Sequence, residues 1–362
     1  MKAFGGGEKH FIYFAKALAN KYGQADFFIN QDVSVEEIED RFSIDLCNVN
    51  IEVIKPKPTL FKGLDASLRT QKYDLFIHYA SSSSHLITSL SSKSILFVTT
   101  PFQLEANGNA IFKRLKKRVR KYQYRSFHKV VVGSYFMKHH VDKSWGVDSC
   151  VIYPPVDIGA FDVGEKKNII LSAGRILKGK HDKKYSLLIE AFKKILAKNP
   201  GLDWEFHILG IVSADEESKQ YYEDLITMAQ GYPIFIHKNV PFKELAHAFS
   251  TGSIFWHGTG FGEDEIHYPD HFDSFALVVA EAMSSGCVPV VIGKGGPAEI
   301  VSNGKNGLLW NTLEELIDCT NTLIFNNDIR EKLSRNAILR SKDFSIENFY
   351  KNSFSFINHF ID

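Results

Sequence analysis

Short apolar runs punctuate the whole chain. In the first half they read ADFFIN, IEVIK, YDLFIHY, SILFVTT, KVVVGS and SCVIYPP, and in the second NIILSAGR, DWEFHILG, IFIHKNV, SIFWHG and CVPVVIG. Between them lie stretches with apolar residues at helical spacing, such as 35–41, 84–90, 186–196, 218–230 and 243–249. Strands alternating with helices predict a doubly wound α/β fold with parallel sheets, in which ligands sit at the carboxyl ends of the strands. The chain opens on Gly5-Gly6-Gly7 and an amphipathic helix with Phe11, Phe14, Ala15, Leu18 and Ala19 on one side. Only four residues precede these glycines, where such a domain normally has a strand. The first strand is therefore expected to be short or missing, or the native start to lie upstream.

A chain of 362 residues exceeds what one hydrophobic core usually supports, so two domains are expected. The segment 153–167, YPPVDIGAFDVGEKK, carries two prolines and two glycines and is the best linker candidate. It divides the chain into an N-terminal domain over 1–160 and a C-terminal domain over 161–343. The closing stretch 344–362 has aromatic residues at helical spacing and predicts a last helix.

Hydrophobic content of 44% and charged content of 23% fit a soluble globular protein, and a net charge of +1 argues against a dedicated nucleic-acid binder. Cys47, Cys150, Cys287 and Cys319 are widely spaced beside apolar segments, which predicts buried reduced thiols. With no signal peptide and no run long enough to span a bilayer, a cytoplasmic location is expected. The basic stretch 113–125, KRLKKRVRKYQYR, opens at Lys113 and closes at Arg125. Ile111, Leu115, Val119 and Tyr122 fall at helical spacing, so it reads as an amphipathic helix with a strongly basic remainder. Two readings stay open: a packed helix with a solvated charged face, or attraction to anionic lipid headgroups that would hold the protein peripherally on a membrane.

The stretch 255–296 concentrates the candidate chemistry: a strand end, a Gly- and acid-rich loop, a helix over about 274–285 and a Gly turn. Asp273 precedes that helix and Glu281 lies about two turns inside it, so both can face a ligand over its N-terminus. Free N–H groups and the helix dipole favour an anion there. Asp273 can also be read as the helix N-cap and Glu281 as an ordinary surface glutamate. Upstream, Arg175 ends the strand NIILSAG and Lys183 precedes the next helix. Two cations on one strand-to-helix loop can neutralise a diphosphate and stabilise the charge that develops on it as it leaves. The neighbouring Lys178, Lys180 and Lys184 blur which lysine acts.

GR at the strand end, KKYSLLIEAF after it, the acids eight apart and AMSSGCVPVVIGKGGPAEIVSNGKNGLLW make the chain resemble the retaining nucleotide-sugar glycosyltransferases of the GT-B fold, family 4 in the usual classification. The resemblance extends to the GGGEK start and the YPPVD segment. WHGTGFGEDE and the GCVPVV run are most similar to the mannosyltransferase-like branch acting on lipid-linked oligosaccharides. It implies two Rossmann-like domains facing a cleft, with the last helix crossing back to the first domain. It also implies retaining, metal-independent transfer of a hexose to a glycan or lipid-linked acceptor, with GDP-mannose the favoured donor, no cofactor and no nucleic-acid partner. A UDP-hexose transferase and a non-catalytic nucleotide-sugar-binding subunit are the alternatives.

Residue by residue, Arg175 and Lys183 match the diphosphate-binding pair and Glu281 the acid that holds the ribose hydroxyls. Asp273 matches a position that is normally a glutamate near the donor sugar, so its carboxylate sits about a methylene further back. Arg175, Lys183 and Asp273 are the implied catalytic set. The backbone at Gly6 and Gly7, and at Ser274, Phe275, Ala276 and Leu277, would add N–H donors for the phosphates or sugar, and His257 would line the donor pocket. Many relatives have a histidine after the strand SILFVTT. Here Thr99 and then Thr100 stand there, and threonine is no general base at neutral pH. Thr99, Thr100 and Glu105 form the expected acceptor side.

Overall fold

In the computed structural model, the residues described are 6–23, 25–29, 34–42, 44–53, 67–80, 87–100 and 110–361. The chain divides into two compact units, residues 1–155 with 347–362, and residues 156–346.

The second unit holds a six-stranded parallel sheet, and its strands match the apolar runs of the sequence. They are β7 (Lys167–Ile176), β8 (Glu205–Val212), β9 (Ile234–Lys238), β10 (Gly252–His257), β11 (Val288–Ile292) and β12 (Leu308–Trp310), in the spatial order β12-β11-β10-β7-β8-β9. The unit's first strand lies in the middle. The next two run outward to one side, and the chain then crosses back to build the other side from β10. Strand order therefore reverses between β7 and β10, and in a doubly wound sheet the crevice beyond the carboxyl ends at that point is where ligands bind. Every residue of β10 and β11 is buried, as expected of strands covered on both faces. The helix Tyr185–Lys198 lays Leu188, Ile189, Phe192 and Ile195 on the sheet, a stripe at spacings of three and four. Fully burying each such side chain is worth about 1.5–3 kcal/mol. The indole of Trp256, on β10, donates to Thr320 Oγ1 at 3.0 Å, so this large core residue leaves no polar atom unpaired.

In the first unit, β3 (Phe76–Ala80), β4 (Ser94–Val98), β5 (Lys129–Val132) and β6 (Ser149–Val151) form a parallel sheet in chain order, while β1 (Ala25–Ile29) pairs in parallel with β2 (Val49–Val53). The helix Gly6–Tyr22 buries Ile12, Tyr13, Phe14, Ala17, Leu18 and Ala19, a face rotated from the one expected, which leaves Phe11 and Ala15 only half-buried. The rotation follows from the last helix, Ile346–Ile361, whose Phe349 packs on Tyr13 and Phe14 with ring centroids 6.5 Å apart in each case.

Several expectations are corrected. Residues 87–90 are irregular rather than helical, and the rest of 84–90 lies outside the described residues. In the basic helix Ala110–Arg125, Val119 and Tyr122 are exposed at 50% and 70%, whereas Tyr124 is buried. Tyr124 stacks on Trp145 at 4.9 Å, and this aromatic contact decides which face turns inward. All four cysteines are free, but only Cys287 is buried; Cys47 is exposed beside Asp45, and Cys150 and Cys319 are half-buried. Among the described residues, no helix is long and apolar enough to cross a membrane.

Candidate functional site

The carboxyl ends of β7 and β10 flank the reversal point of the second sheet, and three candidate residues come from them and their loops. His257 is the last residue of β10, Lys183 stands between β7 and the helix Tyr185–Lys198, and Asp273 follows the loop after β10. They meet at one carboxylate. Asp273 Oδ2 accepts from Lys183 Nζ and from His257 Nε2, the latter at 2.7 Å. His181 Nδ1 lies 3.8 Å from Asp273 Oδ1.

Electrostatics settles the protonation of this cluster. Burial on its own would raise the Asp273 pKa, but the Lys183 charge and the His257 hydrogen bond outweigh it and hold the carboxyl well below the usual range. Burial pushes His257 down, and Asp273 offsets this only in part, so the imidazole is neutral at pH 7. A neutral imidazole facing an ionised carboxylate carries its proton on Nε2, which leaves Nδ1 as a buried acceptor with no partner among the described residues. His181 is likewise pushed down by burial, with Asp273 opposing.

The expected helix over 274–285 begins only at Leu277 and ends at Ser284. Its N-cap is Ala276, in the left-handed region at φ 68°, with no side-chain cap. Asp273 is therefore not the N-cap, because it turns instead to Lys183 and His257. Glu281 sits about one turn inside the helix rather than two and is half-buried. The helix Tyr185–Lys198 also starts behind a left-handed, uncapped residue, Lys184, at φ 58°. Non-glycine residues in this region cost about 1–3 kcal/mol each and concentrate at ligand sites. The helix at Leu277 thus begins at the reversal point with no side-chain cap, the arrangement that receives an anion, whereas in the other helix the Ser186 N–H already donates to Tyr221 Oη at 3.3 Å.

Arg175 is exposed near the end of β7 and forms no ion pair among the described residues. Ser274 and Phe275 form the bend between Asp273 and the helix. His257 is only 2% exposed and turns to Asp273, so it does not form an open wall of a pocket. Gly6 and Gly7 open the helix of the first unit, and Thr99 and Thr100 follow β4, half-buried. Glu105 lies outside the described residues, as does the stretch before Gly6.

Sequence reasoning missed four participants. His181 joins the Asp273 cluster, and Glu263 accepts from Lys184 Nζ at 2.7 Å and contacts His271 Nδ1 at 2.8 Å. Asp270 takes Lys180, so with Lys184–Glu263 and Lys183–Asp273 three ion pairs among the described residues tie the loop after β10 to the loop after β7. The fourth, Gly174, had a visible signal, since glycine inside a strand marks a close approach. Its φ is +148°, and a Cβ there would lie 2.9 Å from Lys183 Cε, so glycine lets the lysine fold back over β7 toward Asp273. Among the described residues, no group of three or more His, Cys, Asp or Glu side chains could hold a metal ion.

Residues 157–340 match the family model described as glycosyl transferases group 1, and residues 4–159 match that of glycosyltransferase family 4. The chain is 25% identical over 320 residues to a GDP-Man:Man(3)GlcNAc(2)-PP-Dol alpha-1,2-mannosyltransferase of Dictyostelium discoideum, covering 79% of this chain and 59% of that relative, and so spans less than two thirds of its length. Among solved structures, a glycosyltransferase of Rickettsia africae superposes with a TM-score of 0.73 at 17% identity, covering 99% of this chain and 96% of that one. Anabaena HepE, solved with UDP and glucose, gives a TM-score of 0.71 at 17% identity, covering 98% and 96%. The fold is GT-B, with two α/β domains built on parallel sheets. With the family model matched across the whole of the second unit's sheet, this chain belongs to the glycosyl transferases group 1 family.

Proposed function

We propose that the protein is a retaining hexosyltransferase that takes a hexose from a nucleotide sugar, GDP-mannose in the first instance, and passes it to a glycan or lipid-linked saccharide. The observation that carries this reading is the cluster at the reversal point of the second sheet, where a lysine, an ionised buried aspartate and the uncapped start of the helix at Leu277 converge. Lys183 and the exposed Arg175 supply the positive charge that a departing diphosphate needs, fixed in place before the bond breaks. Asp273 is acceptor-only in its ionised state, so it suits sugar hydroxyls and repels phosphate. Its binding by Lys183 and His257 fixes the carboxylate, which compensates for the short aspartate side chain at this position. Glu281, further along the helix, is assigned to the ribose hydroxyls. No metal or cofactor has a part in this reading.

GDP-mannose is preferred because the Dictyostelium relative is named for GDP-linked mannose and lipid-linked oligosaccharide, and that likeness spans most of this chain. UDP-hexoses are the competing donors. The basic helix Ala110–Arg125, with Arg114 and Arg118 exposed, suits a peripheral position at an anionic membrane surface on the cytoplasmic side.

The test is transfer from GDP-mannose and from UDP-glucose to octyl α-hexopyranosides, with the product anomer read by proton NMR. An α-linked product from the α-linked donor is expected. A β-linked product would contradict retention, and tight donor binding without transfer or hydrolysis would indicate a binding subunit.

A further inference from the structure

The first unit carries a polar cluster that the donor reading does not use. Tyr79 is the penultimate residue of β3, and Thr99 directly follows β4, so both stand at strand carboxyl ends. The Tyr79 hydroxyl donates to Glu8 Oε1 at 3.0 Å, and the Thr99 hydroxyl lies 3.3 Å from Tyr79 Oη and 3.4 Å from the Ala80 carbonyl. The Tyr79 ring rests on Phe11, with centroids 5.2 Å apart, so the hydroxyl that holds Glu8 is itself fixed. Burial and then the Glu8 charge push the Tyr79 phenol well up, which keeps it a donor at any physiological pH.

Gly7 explains how a helix reaches these strand ends. A Cβ there would lie 3.0 Å from Tyr79 Oη and 3.1 Å from Thr99 Cβ, so only glycine lets the first helical turn, with Glu8 on it, settle over β3 and β4. Glu8, Tyr79 and Thr99 are all half-buried, shielded enough to be ordered and open enough to meet a ligand. Threonine and tyrosine hydroxyls do not titrate near neutrality, so Glu8 is the ionisable group of the cluster. A carboxylate on the first turn already occupies the end that would otherwise draw an anion, and it repels phosphate while accepting from neutral hydroxyls.

We infer that Glu8 is an acceptor-binding residue, its carboxylate held by the Tyr79 hydroxyl, which in turn accepts from Thr99, and taking a hydrogen bond from a hydroxyl of the saccharide acceptor. The inference rests on the transferase reading above and adds the group that Thr99 cannot supply. Glu8→Gln keeps an oxygen for Tyr79 but loses the charge, and Tyr79→Phe removes the hydrogen bond from Tyr79 to the carboxylate. With GDP-mannose and UDP-glucose as donors and octyl α-mannoside, α-glucoside and α-galactoside as acceptors, Glu8→Gln should lower kcat/KM for the acceptor about 10- to 100-fold, the range for losing a charged hydrogen bond. Donor affinity and acceptor-free donor hydrolysis should stay within about twofold of the native protein, since a residue outside the donor site contributes no donor binding. Tyr79→Phe should act in the same direction, less strongly and mainly through the acceptor KM. An unchanged acceptor kcat/KM in Glu8→Gln, or an equal loss of donor affinity and transfer, would overturn the inference and leave the donor reading intact. A native protein that binds no nucleotide sugar would overturn the donor reading and this inference together.

Discussion

Lys183→Met and Asp273→Asn, singly and together, test whether the cluster at the reversal point is one electrostatic unit. Both side chains are only 13% exposed, so their attraction is weakly screened. Removing Lys183 leaves an ionised carboxylate with His257 as its donor, and removing the charge of Asp273 leaves a buried ammonium. Breaking a buried pair from one side costs about 3–5 kcal/mol. The lower end is expected here, because the orphaned aspartate can take up a proton and the lysine can swing outward. Neutralising both members removes the orphan, so the double variant should be less destabilised than the sum by about 2 kcal/mol. Urea denaturation at pH 7 followed by tryptophan fluorescence reads this in the right place, since Trp204, Trp256 and Trp310 all lie in the second unit. Single-variant effects that add within about 0.5 kcal/mol would refute the coupling.

His10, 3% exposed in the first unit, has its pKa lowered by burial to about 3 against an ordinary 6.5. Below pH 6.5 the unfolded chain binds a proton that the folded chain refuses. Stability from this residue is therefore complete above 6.5 and falls as pH drops toward 3, by about 2 kcal/mol at pH 5. Denaturation midpoints of native protein and His10→Phe across that range check it, and an equal slope in both would remove His10 as the cause. Arg175→Ala should lower the transfer rate about 10-fold or more, as expected from losing a charged contact to the leaving phosphate. Its thermal midpoint should not move, because Arg175 is exposed and makes no ion pair among the described residues; a fall in midpoint matching the loss of rate would make it structural.

Much of the fold was legible because both-face burial writes itself into local sequence: the all-apolar runs became β7, β10 and β11 within a residue or two. Arg175 near the end of β7 and the loops carrying Lys183 and Asp273 were legible for the same reason, since they lie at or just after strand ends. What escaped is long-range. Lys183 and Asp273 are 90 residues apart, and nothing local says that the lysine turns to a carboxylate rather than outward. The Asp273 N-cap reading failed because a left-handed Ala276 delays the helix, a backbone choice that an alanine does not advertise. The exposure of Val119 and Tyr122 was missed because helical spacing fixes which residues share a face, and only the stacking of Tyr124 on Trp145 decides which face is buried. Glu8 was passed over as part of a helix start, since its partner Tyr79 is 71 residues away.

The central claim is that a nucleotide sugar binds at the carboxyl ends of the second sheet, against Lys183. Isothermal titration of GDP-mannose and UDP-glucose into the full chain, native and Lys183→Ala, tests it most directly. The account predicts saturable binding of one donor by the native protein and an affinity weaker by about 10-fold or more in Lys183→Ala, the loss expected of a charged contact to phosphate. Equal affinity in the two proteins, with the variant folded, would contradict it.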